Sequence, residues 1–160
     1  LGFEKIIVNS ALEHNFKLIE EISKYFGTQA LIISIDIKYS ILKKPYVCFQ
    51  SGTKSIGINP LAWAKKCEKA GAGELLITSI NKEGMWNGYD VSIIKKITDA
   101  VEIPVIAYGG AGSLKDIKEL FLLTDINAAA ASNIFLFQKK DMGVLINYPD
   151  PNIINKIIRS

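Results

Sequence analysis

The sequence is poor in the residues from which most metal and redox sites are built: two cysteines, Cys48 and Cys67, and one histidine, His14, in 160 residues. Neither cysteine belongs to a CxxC pair and one histidine cannot complete a local zinc set, so neither a thiol redox couple nor a zinc centre with local ligands is supported. Reduced, structural cysteines are expected, with no metal and no cofactor. An excess of one charge is also missing. Lys and Arg number 19 against 16 Asp and Glu, a net charge of +3, with the lysines spread along the chain. That speaks against a nucleic-acid surface and lends only slight support to anionic ligands. No apolar run reaches the eighteen or so residues needed to span a bilayer, and the start at Leu1-Gly2-Phe3-Glu4 lacks the charged-then-apolar order of a signal peptide. A cytoplasmic chain with no membrane partner is expected.

What the sequence has in plenty is aliphatic side chains. Hydrophobic residues make up 49% of it, with isoleucine prominent, as buried parallel strands require. The length suffices for one sizeable core and not for two ordinary domains, so residues 1–160 read as a single folding unit. The opening on Leu1, with an apolar strand a few residues later, is what a chain entering in mid-domain would show.

Five strand-length apolar runs stand out: Lys5–Asn9, Ala30–Asp36, Glu74–Ser79, Pro104–Tyr108 and Asn127–Ala131. Near-continuous runs such as LIISI and PVIA predict strands covered on both faces. Amphipathic stretches lie between them. Phe16, Ile19, Ile22 and Phe26 mark one helix, with Asn15 as its cap; Pro60 opens a second, with Leu61, Ala64, Cys67 and Ala70 on one stripe. Asp90 caps a third, carrying Ile93, Ile94 and Ile97, and Ser113 a fourth, with Leu114, Ile117, Leu120 and Phe121. Pro151–Arg159 forms a closing helix on Ile153, Ile154, Ile157 and Ile158. Between Lys38 and Asn59, YVCFQ and the polar SGTKSIG break the rhythm as a hairpin or extended loop.

Alternating β and α units fit an open doubly wound sheet or a barrel, and the position of the glycines decides between them. They follow the late strands. GGAGS (Gly109–Ser113) comes after the fourth run, and Ser132-Asn133 after the fifth. A phosphate cradle after the last two strands is a barrel arrangement, whereas a dinucleotide fold places GxGxxG after its first strand. Gly109, Gly110 and Ser132 are therefore candidate phosphate-binding residues, with Ser113 opening a helix whose positive end points the same way. The competing reading is turn glycines and a helix-start serine with no ligand.

At this point the residues carry a family resemblance. GAGELLITSINKEGMWNGYD (Gly71–Asp90), IPVIAYGGAGS (Ile103–Ser113) and AAAASNIF (Ala128–Phe135), with KIIVNSA and ALIISIDIK upstream, resemble in order the second half of the cyclase subunit of imidazole glycerol phosphate synthase. The resemblance implies a (β/α)8 TIM barrel present only in part, about strands four to eight. It also implies a lyase of histidine biosynthesis, which takes ammonia from a glutaminase partner. With that ammonia the family converts a bis-phosphorylated ribulosyl carboxamide nucleotide to imidazole glycerol phosphate and an aminoimidazole carboxamide ribotide. Its catalytic aspartates stand on strands one and five, and Asp36 matches the second of these. Asn9 and Ser10 match the loop that holds one phosphate. Gly84, Gly109, Gly110, Ala131 and Ser132 match those that hold the other, and Ser51 and Thr78 match lining positions. Lys5 and Glu74 match charges at the ammonia entrance, where solvated strand-start charges are the competing reading. Asp36 has an independent rationale, since a carboxylate at the top of a buried strand has its pKa raised by desolvation; hydrogen bonds to loop amides, or a pair with Lys38, are the alternatives.

Three departures bear on the substrate. The family's first three strands, with the other aspartate, have no counterpart. Asn81-Lys82-Glu83-Gly84-Met85 stands where DRDGT is usual, leaving Glu83 to serve one methylene out of place, and Tyr108 replaces a small hydroxyl residue. The tail VLINYP (Val144–Pro149) is similar to relatives that accompany amidotransferases of surface-polysaccharide sugars, a second expectation for function. An inactive partial-barrel assembly module is a third.

Overall fold

The computed structural model describes residues 2–137, 143–146 and 148–158. Seven strands and six α-helices run in the order β1 (Ile6–Val8), α1 (Leu18–Phe26), β2 (Leu31–Tyr39), β3 (Pro45–Phe49), β4 (Lys54–Ser55), α2 (Pro60–Lys69), β5 (Glu74–Ser79), α3 (Val91–Thr98), β6 (Val105–Tyr108), α4 (Leu114–Leu123), β7 (Ala128–Ala130), α5 (Asn133–Leu136) and α6 (Pro151–Ile158). The last helix matches the expected one, except that Arg159 lies outside the described residues.

Strands β1, β2, β5, β6 and β7 are parallel neighbours in chain order. A doubly wound sheet reverses direction at a switch point. An unbroken progression is instead the arc of a barrel, and β1 and β7 do not pair among the described residues. The predicted interruption after β2 is an antiparallel hairpin, β3 on β2 and β4 on β3. β2 is thus shared along one edge: Leu31–Ile33 pair with β1, and Asp36–Tyr39 with β3.

The two faces of the arc differ. The helix-facing residues Leu31, Ile33, Ile35, Ile37, Leu75, Ile77, Val105 and Ala107 are at most 1% exposed. Ile93, Ile94 and Ile97 of α3 and Cys67 of α2 pack in the same core, which gives Cys67 its structural role. On the inner face Leu76, Ile106 and Ala128 are only half-buried, and Ile7 of β1 is 59% exposed. The expectation of strands covered on both faces therefore holds for β2 alone. On β5 and β6 one face carries the helices, and the inner one has no second half of a ring upon it.

Helix starts follow the sequence with one exception. Asn59 caps α2 through its side chain, accepting from Leu61 and Ala62 N–H, with Pro60 next. Asp90 caps α3 by accepting from Ile93 N–H. Asn15 does not cap α1. Lys17 holds that position, and Asn15 contributes only its carbonyl to a turn with Leu18. Phe16 has left the helix to pack edge-on against Trp63 at 5.1 Å, and Phe26 is exposed.

Candidate functional site

The C-terminal ends of β2, β5, β6 and β7 converge on one surface. In β2, period-two alternation puts Ser34, Asp36 and Lys38 on the face opposite Ile33, Ile35 and Ile37. Asp36 is opposite Thr78 in the parallel pair and opposite Cys48 in the antiparallel one. It is 6% exposed. Burial pushes its carboxyl above the usual range, hydrogen bonding from Asn9 opposes that shift, and the charge of Glu83 adds to it. The alternative ion pair with Lys38 is not formed, because that ammonium donates to the carbonyl of Gly52 at 2.7 Å.

Around Asp36 runs a polar chain. Asn9 Nδ2 donates to Ser34 Oγ at 3.3 Å, Ser10 Oγ donates to Asn9 Oδ1 at 3.4 Å, and Gln50 N–H donates to Ser10 Oγ at 2.9 Å. The hairpin turn that supplies Gln50 is fixed by the Lys54–Glu13 ion pair and by Gln50 Nε2 on Glu13 at 3.2 Å. Ser34 was not singled out from the sequence. The available signal was a lone hydroxyl two residues before Asp36, on the same face of an otherwise aliphatic strand. Ser51, in contrast, lies exposed in the β3–β4 turn with φ at 55°, away from this chain of contacts.

Two strands over, Glu83, Gly84, Tyr108, Gly110, Ala131 and Ser132 line a small cleft. Gly109 and Gly110 have φ at 95° and 106°. A Cβ on Gly110 would lie 2.2 Å from the carbonyl oxygen of Gly88, so the glycine is demanded by the approach of two loops. The loops are clasped by Gly88 N–H on Gly110 O at 2.8 Å and by Lys82 Nζ on the carbonyls of Gly88 and Tyr89. Tyr108 Oη donates to Glu83 Oε1 at 2.9 Å and lies 3.5 Å from Ser132 Oγ. At the start of α4 two backbone N–H groups are already taken from within the chain. The carboxylate of Asp116 already accepts Gly112 and Ser113 N–H at 2.8 and 2.9 Å.

At the opposite end of the arc Lys5 and Glu74 form an ion pair between β1 and β5, with side chains 44% and 19% exposed. Among the described residues no group of His, Cys, Asp and Glu is placed to hold a metal, and no helix is long and apolar enough to cross a membrane.

Comparison with known proteins agrees with the fold. A family model described as "Histidine biosynthesis protein" matches residues 1–141. The "Imidazole glycerol phosphate synthase subunit HisF" of Petrotoga mobilis is 40% identical over 156 residues, covering 95% of this chain and 62% of its own length. A Pseudomonas aeruginosa protein named "Putative imidazole glycerol phosphate synthase subunit hisF2" is 40% identical over 152 residues, 95% of this chain and 61% of its own. The HisF subunit of Sulfurisphaera tokodaii is 42% identical over 135 residues, 84% of this chain and 53% of its own length. The chain thus spans somewhat over half the length of these relatives. With parallel strands in barrel order and the polar residues gathered at their C-terminal ends, the chain belongs to the histidine biosynthesis protein family.

Proposed function

We propose that the chain forms strands four to eight of an ammonia-using cyclase barrel of the imidazole glycerol phosphate synthase type, acting on a bis-phosphorylated carboxamide nucleotide. The observation that carries this reading is Asp36. It is a buried carboxyl with a raised pKa in the C-terminal half of β2, flanked by Asn9 and Thr78, with a glycine-lined cleft two strands away. Asp36 moves the proton, as general acid or base. Asn9 and Ser10 hold one phosphate, and Gly84, Gly109, Gly110, Ala131 and Ser132 the other, at opposite sides of the mouth. Thr78 and Ser51 are further lining positions of the mouth. Lys5 and Glu74 mark the far end, where ammonia from a glutaminase subunit enters.

The test joins these residues to the family's first three strand–helix units and follows loss of the nucleotide with ammonium supplied. Conversion is expected, with Asp36→Asn lowering it by roughly a hundredfold or more. A folded joined protein that leaves the nucleotide untouched with ammonium in excess overturns the reading. A second reading, delivery of ammonia to a sugar amidotransferase, is favoured by Tyr108, which stands where a small hydroxyl residue is usual and bonds Glu83 on the cleft wall, and by the tail VLINYP. Stimulation of a glutaminase without nucleotide conversion would select it.

A further inference from the structure

The cleft at the ends of β6 and β7 combines features that oppose one another. Its glycines and Ser132 suit an anion, yet Glu83 places a carboxylate on its wall. The nearest candidate to offset that charge is Lys82, and its ammonium is held by the carbonyls of Gly88 and Tyr89 at 3.0 and 2.9 Å. A carboxylate beside an anion cradle repels the ligand. It also competes with it, because it can accept the hydroxyl and backbone N–H donors that the ligand needs. Glu83 is solvent-exposed and on a turn between β5 and α3, so its hydrogen bonds are what fixes where its carboxylate lies. Tyr108 Oη donates to it at 2.9 Å and stands 3.5 Å from Ser132 Oγ, between the carboxylate and the serine. The Ser132 hydroxyl is turned to its neighbour, donating to Asn133 Oδ1 at 3.3 Å, and not to Glu83.

We infer that Tyr108 is a specificity-determining residue, whose hydroxyl holds the Glu83 carboxylate on the cleft wall, so that it does not take up the donors of Gly109, Gly110 and Ser132 and a phosphate group can enter. The inference rests on the reading of this cleft as a phosphate site and adds a consequence for ligand class. Glu83 is already satisfied from within the chain. The site therefore takes a phosphate monoester without calling on a ligand hydroxyl to neutralise that carboxylate.

The experiment is a double-mutant cycle on the 160-residue chain. Inorganic phosphate is titrated calorimetrically at low ionic strength into the parent, Tyr108→Phe, Glu83→Gln and the double variant, each first checked for an unchanged melting curve. Tyr108→Phe is expected to weaken phosphate binding roughly three- to tenfold, as a freed carboxylate within a few ångströms of a dianion would. Glu83→Gln is expected to bind at least as well as the parent, and the double variant to return to the level of Glu83→Gln. The loss should shrink in high salt. Tyr108→Phe binding phosphate as the parent does, or a loss that persists undiminished in the double variant, overturns the tether while leaving the phosphate site standing. A parent chain that binds no phosphate removes the site and the tether together. Should Tyr108→Phe fail to fold, Glu83→Gln carries the test alone: weaker binding than the parent is the result that contradicts the inference.

Discussion

Asp36 is where burial and chemistry meet. Its raised carboxyl means that the folded chain holds the proton more tightly than the unfolded chain does. Stability therefore falls as pH climbs from the ordinary value of 3.8 through the raised one, and stays lower above it. Asp36→Asn is expected to raise the melting temperature at pH 8 by roughly 2–4 °C, and the gain should vanish near pH 3.5; a scan at both pH values checks it. The same shift places the acid limb of any Asp36-dependent activity above the ordinary carboxylate range. The cysteines give a second prediction at this scale. Burial, with the charge of Asp36 adding to it, pushes the Cys48 thiol up to about 11, and burial pushes Cys67 up to about 12. Neither should react with iodoacetamide at pH 7.5 in the native chain, and both should once urea unfolds it; mass spectrometry reads the difference. Individual positions were unevenly legible. A strand-end aspartate after LIISI announces itself, because a charge in an aliphatic run needs a reason. Ser34 and the Tyr108–Glu83 bond do not, since they depend on which side chains face one another across strands far apart in sequence.

Among the elements, the helices were the easier to read, because capping is local. Asn59-Pro60 and Asp90 carry their signals within three residues of where they act. Asn59→Ala is expected to cost about 1 kcal/mol, the usual loss when a side-chain cap is removed, and urea unfolding measures it. Asn15 misled because Phe16 is drawn to Trp63, a tertiary contact that delays the helix to Leu18. The start of α4 was legible as a helix start, but the hold of its own Asp116 on the N–H groups of Gly112 and Ser113 was not, since either a ligand or a carboxylate satisfies such groups. The loop pair 81–90 and 109–113 is held by the clasp at Gly88 and Gly110. A methyl group at Gly110 meets backbone rather than a side chain that can yield. Gly110→Ala should lower stability by about 2 kcal/mol or more and weaken phosphate binding at the same time, whereas Gly57→Ala, with nothing within 4 Å, should leave phosphate binding as it was.

For the whole molecule, the order of strands settles the architecture, and order follows from the repeating β–α rhythm that the sequence displays. Closure does not, since a run of isoleucines looks the same whether its second face meets side chains or water. Ile7, Leu76 and Ile106 leave an apolar inner surface partly open. The 160-residue chain should accordingly enhance anilinonaphthalene sulfonate fluorescence without denaturant, and joining it to three further strand–helix units should abolish that signal. The shared edge of β2 has its own consequence. At Asp36 β1 has ended along that edge and the hairpin has taken over, with Cys48, fully buried, in register beside the carboxyl-bearing residue and its Sγ on the Asp36 carbonyl at 3.4 Å. β3 thus covers the edge of β2 beside that carboxyl, since residues paired across strands share a face. The face on which Asp36 gives up or takes a proton is the one it shares with Ser34 and Lys38, toward the axis of the arc. In the proposed cyclase, whatever occupies that axis is therefore also what shuts Asp36 off from bulk water, so the substrate itself would set when the acid can re-equilibrate with solvent.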